Sequence, residues 1–136
     1  KNVLAIAAGL CDALHLGQNA KAALLTRGLN EMRVLVTHMG GHTATVYGLS
    51  GIGDLIATCQ SKNSRNWQYG YALGTQTSTT HLHTVEGLRT TQCLYAYAHQ
   101  ENLSLPLLYE IHGVLLESKS PQAALQCLFD RPLIHE

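Results

Sequence analysis

The residues of this chain that could do chemistry are few, and most stand beside glycines or at helix starts. Ser64-Arg65-Asn66 sets a hydroxyl, a guanidinium and an amide on consecutive positions near a predicted helix start. A guanidinium there can clamp a phosphate bidentately, helped by the free backbone N–H groups of the first helical turn. An exposed loop arginine is the plainer account of the same residue. Lys1-Asn2 heads an apolar helical pattern. A lysine at a helix N-terminus opposes the macrodipole, so it is either idle or kept for chemistry. The stretch from Gly48 to Asp54 (GLSGIGD) lacks the G-x-G-x-x-G order of a dinucleotide fingerprint, and no strand leads into it. It reads equally well as a tight turn needing positive φ or as backbone that approaches a ligand, with Asp54 at a helix N-terminus. Glu86 fits a first-turn carboxylate favoured by the helix dipole.

Eight histidines raise the question of metal. His38 and His42 have i,i+4 spacing, but Gly40-Gly41 interrupts the helix that would align them. His81-x-His83 sits in a Thr-rich stretch with no evident third ligand. Neither resembles an H-E-x-x-H or Cys/His zinc pattern, and no metal site is expected. Cys11, Cys59, Cys93 and Cys127 are widely spaced without a C-x-x-C pair. In a chain with a full apolar core they read as free, buried thiols of a reducing compartment such as the cytoplasm. The sequence carries no charged n-region with a cleavage site.

The elements that must position these residues are helical. Val3, Ala7, Leu10 and Leu14 step by four and three, with Leu4 and Cys11 alongside, and Gly17 marks a stop. Asn19 is expected to cap a second helix through Leu25, Leu29, Met32, Val36 and Met39, ended by Gly40-Gly41. Asp54 begins a short helix to about Cys59. Trp67 to Leu73 forms another, ended by Gly74. Thr75 to Thr84 is a polar surface loop. Val85 to about Asn102 is helical, as is the run from Pro106 with Leu107, Leu108, Ile111, Val114 and Leu115 on one side. Ser120-Pro121 is an N-cap followed by proline at the first helical position, with Ala124, Leu128 and Phe129 turned inward.

At 136 residues, the chain is one all-α domain spanning 1–136. Its 46% hydrophobic and 13% charged residues describe a globular chain with part of its surface normally covered. Nine basic residues against nine acidic ones remove the footprint of a nucleic-acid binder. The longest apolar run, Val3 to Cys11, is too short to span a bilayer, which takes about 20 residues. A first residue of Lys rather than Met, already inside an apolar pattern, suggests a piece of a longer protein. An all-α core alone says nothing of function.

Taken in order, five blocks narrow the choice: KNVLAIAAG at Lys1–Gly9, AALLTRGLNEM at Ala22–Met32, GIGDLIATC at Gly51–Cys59, Ser64-Arg65-Asn66 and Val85-Glu86-Gly87. Together they closely resemble the C-terminal domain of the bacterial-type NAD(P)-dependent glycerol-3-phosphate dehydrogenases, from residue 1 to about residue 130. The resemblance implies the multi-helix domain of the 6-phosphogluconate-dehydrogenase-like type, which in that family follows a Rossmann domain absent from this chain. It implies reduction of dihydroxyacetone phosphate to sn-glycerol 3-phosphate with NADH or NADPH, for phospholipid synthesis, by a cytoplasmic homodimer. NAD(P)H would be bound mainly by the missing domain, and the segment alone would be inactive.

By resemblance, Lys1 is the catalytic lysine, with Asp54 orienting it or a substrate hydroxyl. Asn2, Asp54 and Thr58 line the substrate pocket beside Lys1. Ser64, Arg65 and Asn66 hold the substrate phosphate, Arg65 also reaching the cofactor. Glu86 contacts the cofactor, with Thr84 in the position usually held by Val. Where many relatives carry two further arginines after Ser-Arg-Asn, this chain has Trp67-Gln68, which weakens the local positive field. The alternatives are the helical domain of another two-domain hydroxy-acid dehydrogenase and a non-catalytic helical interaction module. The Arg65 clamp and the Asp54 block argue against the first.

Overall fold

Helix α1 (Asn2–Ala13) is the axle of the molecule. In the computed structural model, which describes residues 1–132, every side chain from Val3 to Cys11 is buried. The sequence pattern suggested a stripe; the finding is a helix apolar all round, which folds only when neighbours enclose it on every side. Around it lie α2 (Gly17–His38), α3 (Thr43–Val46), α4 (Asp54–Gln60), α5 (Arg65–Gly74), α6 (Glu86–Gln100), α7 (Pro106–Leu116) and α8 (Pro121–Asp130). A π-helical turn, Leu49–Gly53, leads directly into α4. The described residues contain no strand.

Helix α5 lies against α1 with almost nothing between the backbones. A Cβ at Gly9 would overlap the carbonyl oxygen of Trp67, and one at Gly70 would overlap the carbonyl oxygen of Ile6. Leu24, Leu55, Leu105, Ile111, Leu125 and Leu128 complete the core around Ile6 and Leu10. Burial of this apolar surface, at about 25 cal/mol per Å², is the main force assembling the helices.

Helix ends are satisfied in different ways. Ser64 accepts from the Trp67 N–H at 3.3 Å and Ser120 from the Ala123 N–H at 3.2 Å, as expected for Ser at an N-cap. Helix α7 has no capping side chain of its own. Instead the Glu31 carboxylate reaches across from α2 and accepts from the N–H groups of Leu107 (2.6 Å) and Leu108 (3.1 Å).

Two expectations need correction. Asn19 does not cap α2, which begins two residues earlier, at Gly17. Cys11 and Cys59 are buried, but Cys93 and Cys127 are exposed; all four are free thiols. Cys93 and Cys127 sit on the solvent faces of α6 and α8, whose inner positions are taken by Thr91 and Ala98 and by Ala124, Leu125 and Leu128. His38 pairs with Glu101 at 3.1 Å rather than with His42.

Candidate functional site

Four helices present their N-terminal ends to one another, and the chemistry-bearing residues stand at those ends. Lys1 is the N-cap of α1, Asp54 opens α4, Arg65 opens α5 and Glu86 opens α6. The Lys1 Nζ lies 2.8 Å from Asp54 Oδ2, joining α1 to α4. Asn2 donates through Nδ2 to Glu86 Oε2 at 3.1 Å, joining α1 to α6. Asn66 accepts the Gly87 N–H at 2.8 Å through Oδ1, joining α5 to α6 in the interior. Gly87 is the hub: a Cβ there would sit 2.7 Å from Asn66 Oδ1 and 3.2 Å from the Asn2 carbonyl oxygen. Only glycine lets the three helix starts come this close.

The local sequence explains each placement. The π-helical turn at Leu49–Gly53 packs Gly51 onto the Val46 carbonyl and delivers Asp54 at the first position of α4. Thr58, one turn on, donates to the Asp54 carbonyl oxygen at 2.7 Å and stands 3.4 Å from Asp54 Oδ1. Ser64 is used as the α5 cap, so its hydroxyl is committed to backbone. Thr58 and Ser64 line the same shallow groove, with Ala57, Ser61 and Asn63. Asn66 is buried, whereas Arg65 is exposed and its guanidinium makes no hydrogen bond among the described residues.

The electrostatics follow from this geometry. Hydrogen bonding from the Lys1 ammonium, more than any other influence, holds the Asp54 carboxyl below its ordinary value, and the Thr58 hydroxyl adds to the effect. The pair is partly open to water, with side chains 43% and 41% exposed, so its direct contribution to stability is small. Behind it, burial pushes the Cys59 thiol up to about 11. The thiol is therefore neutral at physiological pH and no nucleophile. The N-termini of α1, α4, α5 and α6 carry Lys1 and Arg65 with the carboxylates of Asp54 and Glu86, and Arg65, without an ion-pair partner among the described residues, is the group there suited to an anion.

Of the residues singled out by sequence, Lys1, Asp54 and Thr58 form one connected set. Asn2, Asn66 and Glu86 form another through Gly87. Thr84 makes no such link; it is exposed, in the left-handed region at φ 57°. Sequence reasoning passed over Asp12 and Lys21 and took Trp67 only as a helix residue standing where many relatives carry arginine; the three build a part-buried cluster joining α1, α2 and α5. Lys21 Nζ and Trp67 Nε1 both donate to Asp12 Oδ2, at 2.6 and 2.8 Å. The signal available was an aspartate inside an apolar run, eleven residues after Lys1.

Comparison with known proteins places this arrangement. Residues 1–126 match the family described as NAD-dependent glycerol-3-phosphate dehydrogenase C-terminus. The chain is 49% identical to a glycerol-3-phosphate dehydrogenase [NAD(P)+] of Thermosynechococcus vestitus, over 97% of this chain and 44% of the relative. It is 47% identical to that of Acaryochloris marina, over 98% of this chain and 44% of the relative. The crystal structure of glycerol-3-phosphate dehydrogenase from Coxiella burnetii superposes with a TM-score of 0.91 at 43% identity, over 96% of this chain and 42% of that one. A Saccharomyces cerevisiae glycerol-3-phosphate dehydrogenase shares the fold, with a TM-score of 0.85 at 21% identity over 96% of this chain and 40% of that one. The chain thus spans less than half the length of the curated relatives it matches. Its all-helical architecture is the 6-phosphogluconate-dehydrogenase-like domain expected from sequence, and the chain belongs to the NAD(P)-dependent glycerol-3-phosphate dehydrogenase family, matching that family's C-terminal domain.

Proposed function

We propose that this chain is the substrate domain of an enzyme that reduces dihydroxyacetone phosphate to sn-glycerol 3-phosphate with NAD(P)H. The observation that carries the reading is the Lys1–Asp54 pair at the starts of α1 and α4, with Arg65, whose guanidinium makes no hydrogen bond among the described residues, at the start of α5, the helix that Asn66 joins to α6. A triose phosphate needs a cation for its dianion at one end and a proton donor for its carbonyl oxygen at the other.

In this reading Arg65 holds the phosphate, supported by the N–H groups of the first turn of α5. Lys1 hydrogen bonds to the ketone oxygen, stabilises the negative charge that develops there and delivers its proton. Asp54 keeps the Lys1 amine aimed and charged, and Thr58 keeps Asp54 in place. Asn2 contacts the substrate. Ser64 and Asn66 position Arg65, the first by capping α5 and the second by anchoring it to Gly87. Bound NAD(P)H supplies the hydride.

The described residues offer a dinucleotide only an edge, with neither strands nor a glycine fingerprint to cradle a pyrophosphate. Arg65, Thr84 and Glu86 fit a role at that edge, and the remainder of the cofactor site falls to a preceding Rossmann domain. Leu49 and Ile56, exposed on either side of Asp54 in the chain, suit packing against that domain. The reading extends to a cytoplasmic homodimer serving phospholipid synthesis.

The test is nicotinamide absorbance with the full-length enzyme, offering dihydroxyacetone phosphate and, separately, hydroxy acids. Turnover of the triose phosphate alone is expected. Turnover of hydroxy acids instead would move the chain to another two-domain dehydrogenase, and turnover of neither would leave it a binding module.

A further inference from the structure

The contact between α1 and α5 has an unusual property for a junction that must place a binding residue. Gly9 and Gly70 bring backbone onto backbone, and Gly74 meets Ala13. This backbone packing fixes how closely the two helices approach, and a directional polar contact at the start of α5 adds a constraint on its register where it matters most, because Arg65 stands at its first position.

We propose that Asp12, held by Lys21, is the register pin of α5, and that Asp12, Lys21 and Trp67 are positioning residues for the Arg65 phosphate site; this rests on the function proposed above. Lys21 is only 7% exposed, and its ammonium is spent on Asp12 at 2.6 Å. The pair is part-buried, and desolvation of its ammonium offsets much of the attraction, so its net contribution to stability is small. Its geometric effect is larger. Lys21 fixes the Asp12 carboxylate, and the same oxygen, Oδ2, accepts the Trp67 indole N–H at 2.8 Å. Trp67 is two residues beyond Arg65 and stacks on Tyr71 within α5, with ring centroids 4.9 Å apart and planes 19° apart. The indole is therefore a rigid arm of the helix, and its N–H is a fixed point on α1. Asn66, bonded to the Gly87 N–H, fixes the same helix against α6. Two anchors on adjacent residues leave α5 no freedom to slide or roll, and Arg65 inherits that definition.

The pin makes a prediction that simple destabilisation does not. Trp67→Phe keeps an aromatic ring against Tyr71 and removes the N–H together with part of the buried indole, so the phosphate-dependent share of its effect is what reads the pin. In the full-length enzyme, the KM for dihydroxyacetone phosphate should rise at least about tenfold, within the roughly 10²-fold that a misplacement near 1 Å can cost. Activity on dihydroxyacetone, which has no phosphate for Arg65 to hold, should be unchanged. Inhibition by inorganic phosphate should weaken by the same factor as the KM rises. An equal loss on both ketones, or no loss on either, would overturn the proposal. Asp12→Leu combined with Lys21→Met, which removes the acceptor without leaving Lys21 unpaired, is read by the same ratio if the phenylalanine variant does not fold. In the unaltered enzyme the Trp67 indole N–H should exchange slowly with D2O; rapid exchange would overturn the pin without any variant. Failure of the unaltered enzyme to reduce dihydroxyacetone phosphate would refute the functional reading instead, and the exchange measurement would still decide the pin.

Discussion

The Lys1–Asp54 pair ties the functional reading to single groups. If Lys1 stabilises the developing oxyanion, Lys1→Ala in the full-length enzyme should lower kcat by about 10²–10³-fold, the usual cost of removing one such donor. Circular dichroism should show the fold kept, because the ammonium is partly exposed and makes little contribution to stability. Unchanged turnover would remove Lys1 from the mechanism. The pH profile carries the sign of the interaction. Asp54 is held below its ordinary value, chiefly by Lys1, so it stays charged and oriented down through mildly acid pH. Its contribution should fade only as pH falls below the ordinary carboxylate range. Thr84 offers a different test, since φ 57° costs a β-branched residue about 1–2 kcal/mol. Thr84→Gly should therefore raise stability by about 1 kcal/mol, seen as a higher Tm, while a role at the cofactor edge would raise the KM for NAD(P)H. Ordered motif blocks singled out Lys1, Asp54, Thr58, Asn2 and Glu86, and the structure brings the first three together and links Asn2 to Glu86. Asn66 was legible as polar but not as the buried acceptor for Gly87. Nothing in the residue type betrayed the strain at Thr84, because backbone conformation at one loop residue is imposed by the helices on either side.

Helix periodicity and caps made most elements readable, and the misses have local causes. The expected Asn19 cap gave way because Gly17 already permits the chain to turn into α2. The axle position of α1 was hidden because a periodic stripe can be read within a run that is apolar on every side. Close backbone packing predicts that Gly70→Ala is among the worst substitutions in the molecule. The added methyl would strike the fixed carbonyl of Ile6, not a movable side chain. The helices must part, at a cost of about 3 kcal/mol or more, measurable by denaturant unfolding. The Glu31 cap of α7 makes stability depend on pH in an unexpected direction. Burial raises this carboxyl from 4.5 to about 7 despite the two N–H groups it accepts. The folded state thus holds the proton more tightly than the unfolded state. Its stabilising effect is complete below pH 4.5 and declines as pH rises towards 7, by roughly 2–3 kcal/mol. Glu31→Gln should abolish that decline, so that the Tm of the variant is flatter between pH 4.5 and 7 than that of the parent.

At the scale of the whole molecule, the question is what 136 residues can accomplish. The anion-suited end is assembled entirely within the described chain, from α1, α4, α5 and α6. The described residues hold neither a strand nor a glycine fingerprint for a dinucleotide, and Leu49, five residues before Asp54, is 92% exposed. These two facts separate binding from turnover. A peptide of residues 1–136 should retain weak affinity for sn-glycerol 3-phosphate, detectable as chemical-shift changes at the Arg65–Trp67 amides. It should oxidise no NAD(P)H, because no site in it brings a nicotinamide to the ketone and because water would reach the developing oxyanion. Arg65→Ala should abolish the shift changes, while Lys1→Ala, at the other end of the triose, should reduce them only in part. Measurable turnover by the peptide alone would contradict the division of labour, and shift changes centred away from α5 would contradict the orientation of the substrate. The low charged fraction, 13%, and the exposed Leu49 and Ile56 fit the function proposed above, in which this domain would prepare one half of a site and a cofactor-binding domain would complete it.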